Sequence, residues 1–364
     1  MPIDEKNDNL TFNFIIGTKA QFIKTIPVIN EFLKSDKKVK LYDLKQHSET
    51  TSDLRKKIIG KYIYIELSKN KINLGTYSNL ILWFFKTIIK IIFYPDKNIK
   101  SNYCFVHGDT LSTLLGSFFV KRNRGNLVLL EAGHPVPGIF KHFPESVIRY
   151  IVAKISNKLI VNGKSQINQL KKWNVKGSIL QISTNTIYDS FIGVELNQNH
   201  NKNKVTVAIH RTENINNKIK LKLLVKFLVQ ISEQFDINWY LHIPTRNKLK
   251  SYNLLDELTD GNVKTLDLIQ YDEFINELFS SEFVVTDGAG IVEECQLIGV
   301  PTLVWRDEHL DQEHLFEIGK NLVLSNYQTK DMNDFLENYN SLRSEKIYIH
   351  KSSPSKEIYE YFIN

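Results

Sequence analysis

Apolar runs that end in a glycine-marked turn, each followed by a stretch of helical spacing, recur along the chain and constrain its fold more than any other feature. Residues 12–16 form the first such run, Gly17-Thr18 follows it, and apolar residues then recur with helical spacing over 22–33. This alternation favours a parallel sheet with right-handed crossovers. The further strands predicted in this half are residues 39–43, the runs before Asp109 and Glu131 as the third and fourth strands, 158–162 and 178–182, the last two around a helix with Gln166, Leu170 and Trp173.

The alternation begins again after a polar, asparagine-rich connection. This connection covers residues 193–204, and the apolar run 205–209 follows it. The second half is predicted to form helices over 218–235, 271–279 and 291–298, and strands over 238–243, 263–266, 283–286 and 302–305. We therefore expect an α/β fold of two Rossmann-like domains, residues 1–190 and 204–340, whose parallel sheets face a central cleft, with a helix in 341–364 that packs back on the first domain.

Composition places the chain among globular proteins. Its 364 residues are enough for two domains with substantial cores, and 42% hydrophobic and 24% charged residues are ordinary values. The formal net charge of +7 is spread along the sequence among many asparagines and isoleucines, which does not resemble a basic patch. This pattern argues against a nucleic-acid partner and favours a substrate that carries phosphate.

The cysteines and histidines predict neither a disulfide nor a metal site. Cys104 and Cys295 both lie in apolar segments and are expected to be buried. The histidines are scattered, and His309 and His314 lack a carboxylate at a metal-binding spacing. No cofactor is predicted. The first nine residues are acidic and polar, unlike a secretory leader, so we expect a cytoplasmic protein.

One apolar segment, residues 80–94, stands apart from this alternation. It is shorter than the ~20 residues that a membrane-spanning helix needs, and Lys86 and Lys90 lie four positions apart on it. It is interpreted first as a helix packed within the protein or at a subunit interface. The alternative is a helix that lies on a membrane surface as a peripheral contact.

Three carboxylates of the first half occur at positions typical of an active site. Asp109 and Glu131 follow predicted strands, and Glu145 begins a helix that should end near Arg149. Ligands of a parallel α/β sheet bind outside the carboxyl ends of its strands, which would bring these carboxylates together. Crowding raises the pKa of at least one of them, which suits acid–base chemistry. The alternative is that they are helix caps or surface acids.

Two loops of the second half are also predicted at strand ends. Gly288-Ala289-Gly290 lies between a strand and a helix, where backbone N–H groups and the helix dipole can bind a phosphate. His210 and Arg211 follow the first strand of this half and would face the same crevice. The alternatives are a tight turn without a ligand and a surface loop with an Arg–Glu pair.

Taken together, these motifs resemble those of the non-hydrolysing UDP-N-acetylglucosamine 2-epimerases, over nearly the whole chain and in the same order. The matching motifs are Gly17-Thr18-Lys19-Ala20-Gln21-Phe22-Ile23-Lys24, His107-Gly108-Asp109-Thr110, Glu131-Ala132-Gly133, Pro144-Glu145 with Arg149, Asn185-Thr186 with Asp189, His210-Arg211-Thr212-Glu213-Asn214, Thr286-Asp287-Gly288-Ala289-Gly290 with Glu293-Glu294, and Arg306-Asp307 with Glu313. The resemblance implies a two-domain GT-B-like fold, a homodimer, and a UDP-sugar substrate whose C2 is inverted by elimination and re-addition of UDP.

The resemblance also implies roles for particular residues. The implied acid–base residues are Asp109, Glu131, Glu145 and His210. Lys19, His210 and the turn Gly288–Gly290 would hold the diphosphate, Glu294 the ribose hydroxyls, and Phe274 the uracil. The implied substrate-binding set is Lys19, Lys24, Arg149, Arg211, Phe274, Gly288, Ala289, Gly290, Glu294 and Arg306.

Several positions depart from the family's pattern. Lys19 replaces an arginine, and a lysine offers a point charge in place of a bidentate fork. Gly288 replaces a serine, Asp311 occupies the place of a phosphate-side arginine, and His134-Pro135 follows the glutamate motif in place of Leu-Arg. The acid–base residues are kept while the substrate contacts differ, so the resemblance predicts a divergent member that acts on a UDP-HexNAc.

Two other functions fit parts of the pattern. A GT-B glycosyltransferase would share the nucleotide-sugar site, and the 80–94 helix would then approach a membrane-associated acceptor. A catalytically silent sugar-nucleotide-binding subunit would need the binding residues alone. Neither needs a proton shuttle at C2, so the retained acid–base positions favour the epimerase.

Overall fold

The computed structural model describes residues 10–46, 51–68, 77–136, 138, 143–197, 203–307, 320–344 and 350–364. The chain divides into two compact units, Met1–Ser190 together with His350–Asn364, and Phe191–Ile349. Each unit is built on a parallel sheet, which confirms the expected α/β fold of two Rossmann-like domains. The cleft expected between the two sheets stays a prediction.

The first unit is built on a seven-stranded parallel sheet. Its elements are β1 Thr11–Ile16, α1 Lys19–Lys34, β2 Lys38–Asp43, α2 Thr51–Arg55, β3 Ile63–Glu66, α3 Tyr77–Phe93, β4 Tyr103–His107, α4 Leu111–Arg122, β5 Asn126–Leu130, α5 Glu145–Ile155, β6 Lys158–Val161, α6 Lys164–Lys172 and β7 Ser178–Gln181, and helix α7 Ile187–Ile192 begins in this unit and ends in the second. The strand order is β3-β2-β1-β4-β5-β6-β7. The order reverses between β1 and β4, and the crevice outside the carboxyl ends at such a switch point is where α/β sheets bind ligands.

The second unit repeats this design with a six-stranded parallel sheet. Its elements are β8 Lys204–Ala208, α8 Thr212–Ile215, α9 Lys218–Ile231, β9 Asp236–Tyr240, α10 Ile243–Ser251, α11 Leu255–Asp260, β10 Lys264–Leu266, α12 Tyr271–Ser280, β11 Phe283–Thr286, α13 Ala289–Ile298, β12 Thr302–Val304, β13 Leu322–Leu324 and α14 Thr329–Leu342. The strand order is β10-β9-β8-β11-β12-β13, and the switch point lies between β8 and β11. A further helix, α15 Pro354–Ile363, belongs to the first unit.

The central strands are covered on both faces. On β1 the rings of Phe14 and Phe32 of α1 lie 5.9 Å apart, whereas Ile15, which points to the other face, belongs to a core cluster with Leu115 of α4. Side chains that alternate along this strand therefore pack into hydrophobic cores on both faces of the sheet. Helix α15 packs beside α1, and Phe362 places its ring 5.0 Å from that of Phe105. Asp189 accepts a hydrogen bond from the Ser355 amide in the first turn of α15.

Four sequence predictions were wrong in detail, and one of them is the helix expected over 218–235, which ends at Ile231. The strand β3 was missed, because its residues are half-exposed at the sheet edge and Ile63 is 54% exposed. The runs before Asp109 and Glu131 are consequently the fourth and fifth strands. The strand placed at 238–243 ends at Tyr240, since Ile243 already begins α10. The helix from Glu145 continues well past Arg149 to Ile155.

Helix α3 forms where the apolar segment 80–94 was noted. One face is anchored, since the Trp83 indole donates to the Leu44 carbonyl at 3.1 Å and Ile91 is buried. Among the described residues, no helix combines the length and the hydropathy required to cross a membrane.

Candidate active site

The centre of the first unit's site is the carboxylate of Glu131, directly after β5. Its backbone has φ +59°, a left-handed conformation that is uncommon for a residue with a side chain and frequent at functional turns. Within the described part of the chain four side chains donate to it. Oε1 lies 2.6 Å from Lys24 Nζ, 2.7 Å from Asn185 Nδ2 and 3.3 Å from His134 Nε2, and Oε2 lies 3.1 Å from His107 Nε2.

These donors keep Glu131 ionised. Burial alone would raise the pKa of its carboxyl group, but the Lys24 ammonium and the hydrogen bonds from His107 and His134 hold that pKa well below its usual range. The Glu131 side chain is 15% exposed. A carboxylate in this state is a fixed negative charge at neutral pH. It can take up a proton only when one of its donors moves or passes a proton to it.

His107, the last residue of β4, is fixed on both ring nitrogens. Its Nδ1 lies 2.9 Å from the Thr25 hydroxyl, and its carbonyl accepts hydrogen bonds from Gln21 Nε2 and Thr113 Oγ1. Burial lowers the pKa of the imidazole. We therefore assign a neutral ring whose Nε2–H donates to Glu131 and whose Nδ1 accepts from Thr25.

This arrangement predicts a loss of stability in mild acid. The unfolded chain protonates His107 near its ordinary pKa of 6.5, whereas folded His107 has a lowered pKa, so stability falls as the pH drops below about 6.5. Glu131, whose folded pKa is also lowered, adds a second loss as the pH falls below about 4.5. We expect the thermal midpoint to decrease less between pH 7.5 and 5.5 in His107→Gln, which cannot titrate. An equal decrease in variant and wild type would contradict this assignment.

Asp109 and Glu145 lie on neighbouring elements of the same unit. Asp109 follows β4, and its Oδ2 accepts from Arg149 Nε of α5 at 2.5 Å. Glu145 is the exposed first residue of α5, one helical turn before Arg149 and on the same face. The structure thus joins Asp109 to Arg149. Convergence of Asp109, Glu131 and Glu145 on one substrate stays a prediction.

In the second unit, Asp287 organises the loop after β8. It is fully buried, and its carboxylate accepts from the amides of His210 and Arg211, both at 3.0 Å, and from Asn214 Nδ2 at 2.8 Å. Its carbonyl accepts from Arg306 Nε at 2.9 Å. Asp287 directly follows β11, so these bonds tie the two strand ends at the switch point together.

His210 and the amino end of α13 meet at this point. Gly288 is the N-cap of α13, and a Cβ there would approach His210 Cε1 to 2.7 Å. The ring centroid of His242 lies 4.8 Å from that of His210. His210 Nδ1 is buried with no hydrogen-bond partner among the described residues, since Asp287 Oδ1 is 3.6 Å away. Helix-end amides beside an imidazole suit a phosphate oxygen.

The short distance between Gly288 and the His210 ring leads to a specific prediction. Gly288→Ala adds only a methyl group, at a backbone conformation that alanine accepts (φ −73°), but the methyl displaces the His210 ring. We expect UDP to bind about tenfold more weakly in calorimetric titration, with the thermal midpoint nearly unchanged. Gly163→Ala, whose new Cβ meets only Ser165 Oγ at 3.9 Å, is the matched control. Unchanged UDP affinity in Gly288→Ala would show that the ring lies away from the phosphates.

Further along α13, Glu294 is buried beside Tyr271 of α12. Burial, and then the Glu294 charge, raise the pKa of the Tyr271 hydroxyl well above its usual range. The ring of Phe274, one turn further along α12, packs edge-on at 5.7 Å from that of Tyr240. Arg211 pairs with Glu213.

The remaining predicted site residues differ in their surroundings. Lys19 is the half-buried first residue of α1, and Lys24 and Arg149 are paired with carboxylates as described above. Arg306 is buried on Asp287. Asp311 lies outside the described residues. Among the residues that the structure does describe, no group of three histidine, cysteine or carboxylate side chains is placed to hold a metal ion.

Sequence reasoning missed several residues that build these sites. His107 and Asn185 stood within matched motifs but were given no role, and His134 was noted only as a departure. Asp287 was treated as part of a glycine-rich turn. The available signal was position, since His107 and Asp287 each follow an apolar run at a strand end.

Known proteins that are similar to this chain agree with the resemblance identified in its sequence. The sequence profile of the family described as UDP-N-acetylglucosamine 2-epimerase matches residues 34–360. A UDP-N-acetylglucosamine 2-epimerase of Methanocaldococcus jannaschii is 24% identical over 343 residues, which cover 88% of this chain and 90% of that protein. The corresponding enzyme of Bacillus subtilis is 23% identical over 262 residues, 65% of this chain and 68% of that protein.

Solved structures show the same fold. A crystal structure of the M. jannaschii UDP-GlcNAc 2-epimerase in complex with UDP-GlcNAc and UDP has a TM-score of 0.78 at 22% identity, and covers 97% of this chain and 99% of that chain. The Neisseria meningitidis enzyme bound to UDP-GlcNAc has a TM-score of 0.77 at 19% identity, with coverage of 97% and 100%. These neighbours show a GT-B-like α/β fold with two Rossmann-like domains. With a family match over most of its length, the chain belongs to the UDP-N-acetylglucosamine 2-epimerase family.

Proposed function

We propose that this protein interconverts UDP-N-acetylglucosamine, or a closely related UDP-HexNAc, with its C2 epimer. The observation that carries the proposal is the ionised Glu131 carboxylate, held at strand ends by Lys24 and two histidines. The second unit supplies a fitting anion site, formed by His210 and the amino end of α13. Membership of the family supports a reaction that uses both of these sites, since the named relatives are UDP-N-acetylglucosamine 2-epimerases.

The reaction needs both kinds of site. A base removes the C2 proton while the C1–O bond to UDP breaks, which yields UDP and a 2-acetamidoglucal. Re-addition of UDP at C1, with a proton delivered to C2 on the opposite face, gives the epimer. Proton transfer requires carboxyl or imidazole groups, and the departing diphosphate requires preorganised donors.

The residues divide between these tasks. Glu131, Asp109 and Glu145 are the acid–base candidates of the first unit. Lys19, His210, Arg211, and the backbone of Gly288 to Gly290 would hold the diphosphate, with Glu294 on the ribose and Phe274 on the uracil. Lys24 and Arg149 are paired with carboxylates in this structure. When substrate binds, these two cations can also stabilise the negative charge that develops on the departing diphosphate.

Product identity tests this function. Incubation of the purified protein with UDP-GlcNAc, followed by proton NMR of the anomeric region, should show a second UDP-sugar in equilibrium with the first, with no acceptor present. A glycosyltransferase would instead consume the nucleotide sugar only after addition of an acceptor lipid or glycan. A binding subunit would leave it unchanged.

We also propose that the exposed face of α3 binds a second copy of the chain. Its exposed apolar side chains are Ile81, Leu82, Phe85, Ile89, Ile92 and Phe93. Lys90 turns back to the Glu66 carbonyl at 3.3 Å, and Lys86 is left as the helix's exposed cation among the described residues. Helices that bind anionic lipid typically carry several basic residues. Because Lys86 is the one exposed cation described on this helix, its apolar face is better suited to another apolar protein surface.

The oligomeric state tests this surface. Light scattering should give about twice the chain mass of 42.4 kDa for the wild type, and the chain mass for Phe85→Glu combined with Ile89→Glu. A monomeric wild type, or sedimentation of the wild type with phosphatidylserine vesicles, would contradict the proposal.

We place the protein in the cytoplasm, as a supplier of precursors for surface polysaccharide. Both described cysteines, Cys104 and Cys295, are free thiols, and burial raises the pKa of Cys104 to about 12. Unpaired, buried thiols fit a reducing compartment.

A further inference from the structure

We propose that Tyr327 holds the loop 210–214 in the conformation that binds the diphosphate, an inference that rests on the function proposed above. Tyr327 lies in the loop after β13, outside the motifs that carry the family resemblance. Its hydroxyl donates to Asn214 Oδ1 at 2.8 Å. Asn214 belongs to the loop after β8 and hydrogen-bonds to Asp287. Tyr327 is therefore a positioning residue that acts through Asn214.

The backbone conformation at Tyr327 is the first observation behind this role. Asn326 and Tyr327 follow one another with φ +46° and φ +54°. Asparagine tolerates this left-handed region, but it is uncommon for a bulky side chain such as that of tyrosine. Strained conformations persist only where the surrounding contacts enforce them, and they cluster at ligand sites and active sites.

The contacts that enforce this turn lead to the candidate nucleotide site. The Asn326 amide donates to the Arg306 carbonyl at 2.9 Å, and Asn326 Nδ2 donates to Asp331 Oδ2 of α14 at 2.8 Å. Arg306 in turn donates through Nε to the Asp287 carbonyl at 2.9 Å. The turn is thus fixed to the loops that follow β11 and β12.

The Tyr327 ring is held by two neighbours. It meets the Trp305 ring edge-on at 5.9 Å, and Lys220 Nζ lies 3.6 Å from its centroid, where a cation is attracted to an aromatic face. Burial, and then the charge of Asp307, raise the pKa of the Tyr327 hydroxyl, so this group stays protonated at neutral pH. The hydroxyl is therefore offered to Asn214 from one position, as a donor.

Asn214 depends on this donor for its orientation. Its side chain is 1% exposed, and its Nδ2 donates to Asp287 Oδ2 at 2.8 Å and to the Trp305 carbonyl at 3.1 Å. Without the Tyr327 hydroxyl, Oδ1 would lose a donor in a buried place, and rotation of the amide would turn Oδ1 toward the Asp287 carboxylate. Either change loosens the link that fixes the loop 210–214.

Calorimetric titration of UDP into four folded proteins tests this role. They are the wild type, Tyr327→Phe, Asn214→Ala and the double variant, and thermal unfolding shows beforehand that each is folded. Tyr327→Phe removes only the hydroxyl and keeps the ring beside Lys220. We expect it to bind UDP about fivefold more weakly, because a loop that holds the binding conformation for part of the time binds with an affinity reduced by that fraction.

The double variant separates positioning from a general loss of stability. Asn214→Ala should weaken UDP binding about tenfold. The double variant should bind as weakly as Asn214→Ala and no more weakly, since Tyr327 acts through Asn214 and has no further effect once that side chain is gone.

Tyr252→Phe is the matched control. The Tyr252 hydroxyl donates to the Asn216 carbonyl, just past α8, at 3.1 Å, and Lys218 Nζ lies 5.8 Å from its ring. This tyrosine resembles Tyr327 in both contacts, but its hydrogen bond ends at an exposed backbone carbonyl outside the loop 210–214. UDP affinity should therefore be unchanged in Tyr252→Phe.

Three outcomes would overturn the inference. Wild-type UDP affinity in Tyr327→Phe is the first, and an equal loss of affinity in Tyr252→Phe is the second. The third is a double variant in which the two single effects multiply, because the hydroxyl would then act independently of Asn214. A wild type that does not bind UDP at all would instead overturn the nucleotide site of the proposed function.

Discussion

Replacement of Glu131 by glutamine should lower kcat by about 10²–10⁴-fold, the usual contribution of a general acid or base. The change keeps the shape of the side chain but removes its charge. It also leaves the largely buried Lys24 ammonium without its anion, and it places an amide beside Asn185 Nδ2 or His107 Nε2, which are donors themselves. UDP affinity should stay near the wild-type value, because the proposed nucleotide contacts other than Lys19 are assigned to the second unit.

Glu277→Gln is the matched control for that variant. Glu277 is also paired with a lysine, Lys204 Nζ at 2.9 Å, but this pair lies at the amino end of β8, the edge opposite the strand ends that carry the site. Turnover should be unchanged in Glu277→Gln. If Glu131→Gln retained wild-type turnover as well, Glu131 would be a structural residue.

The second large effect is expected at Asp287. Asp287→Asn places an NH2 group where the carboxylate now accepts from the amides of His210 and Arg211 and from Asn214 Nδ2. At least one buried donor loses its acceptor, which costs about 1–3 kcal/mol. The loop 210–214 should shift, and UDP should bind at least about tenfold more weakly, with a lower thermal midpoint.

Asp236→Asn serves as the control for Asp287→Asn, because Asp236 is an exposed aspartate at the start of β9, 3.8 Å from Lys264 Nζ. Both the calorimetric UDP affinity and the melting temperature of this variant should match those of the wild type. A folded Asp287→Asn protein with unchanged UDP affinity would mean that the His210 loop does not contact the nucleotide.

The alternation of strands and helices predicted the fold class well, because strands buried in a parallel sheet have continuous apolar sequences. It failed at β3, where the edge position leaves Ile63 exposed and removes the apolar signal. It also placed the end of β9 too late, because Leu241 and Ile243 continue the apolar pattern of the strand. The chain leaves the sheet after Tyr240, and Ile243 already begins α10. An apolar run records burial and does not mark where a strand ends.

The candidate site was predicted less completely than the fold. Position after a strand identified Glu131 and His210, but nothing local in the sequence indicates that Lys24 and Asn185 donate to the Glu131 carboxylate. These two residues come from distant segments of the chain and only the packed sheet brings them to Glu131, whereas His134 lies three residues after it in the same loop. For the same reason the ionised state of Glu131 follows from the structure, because its donors decide its pKa.

The central claim is that this chain breaks and re-forms the C2–H bond of a UDP-HexNAc. Incubation with UDP-GlcNAc in D2O, followed by proton NMR, tests it most directly. We predict a second UDP-sugar that differs in configuration at C2 and carries deuterium there, with loss of the C2 proton signal in the product. Conversion of UDP-GlcNAc to any product that keeps its C2 proton, or no conversion by the folded protein, would contradict the claim.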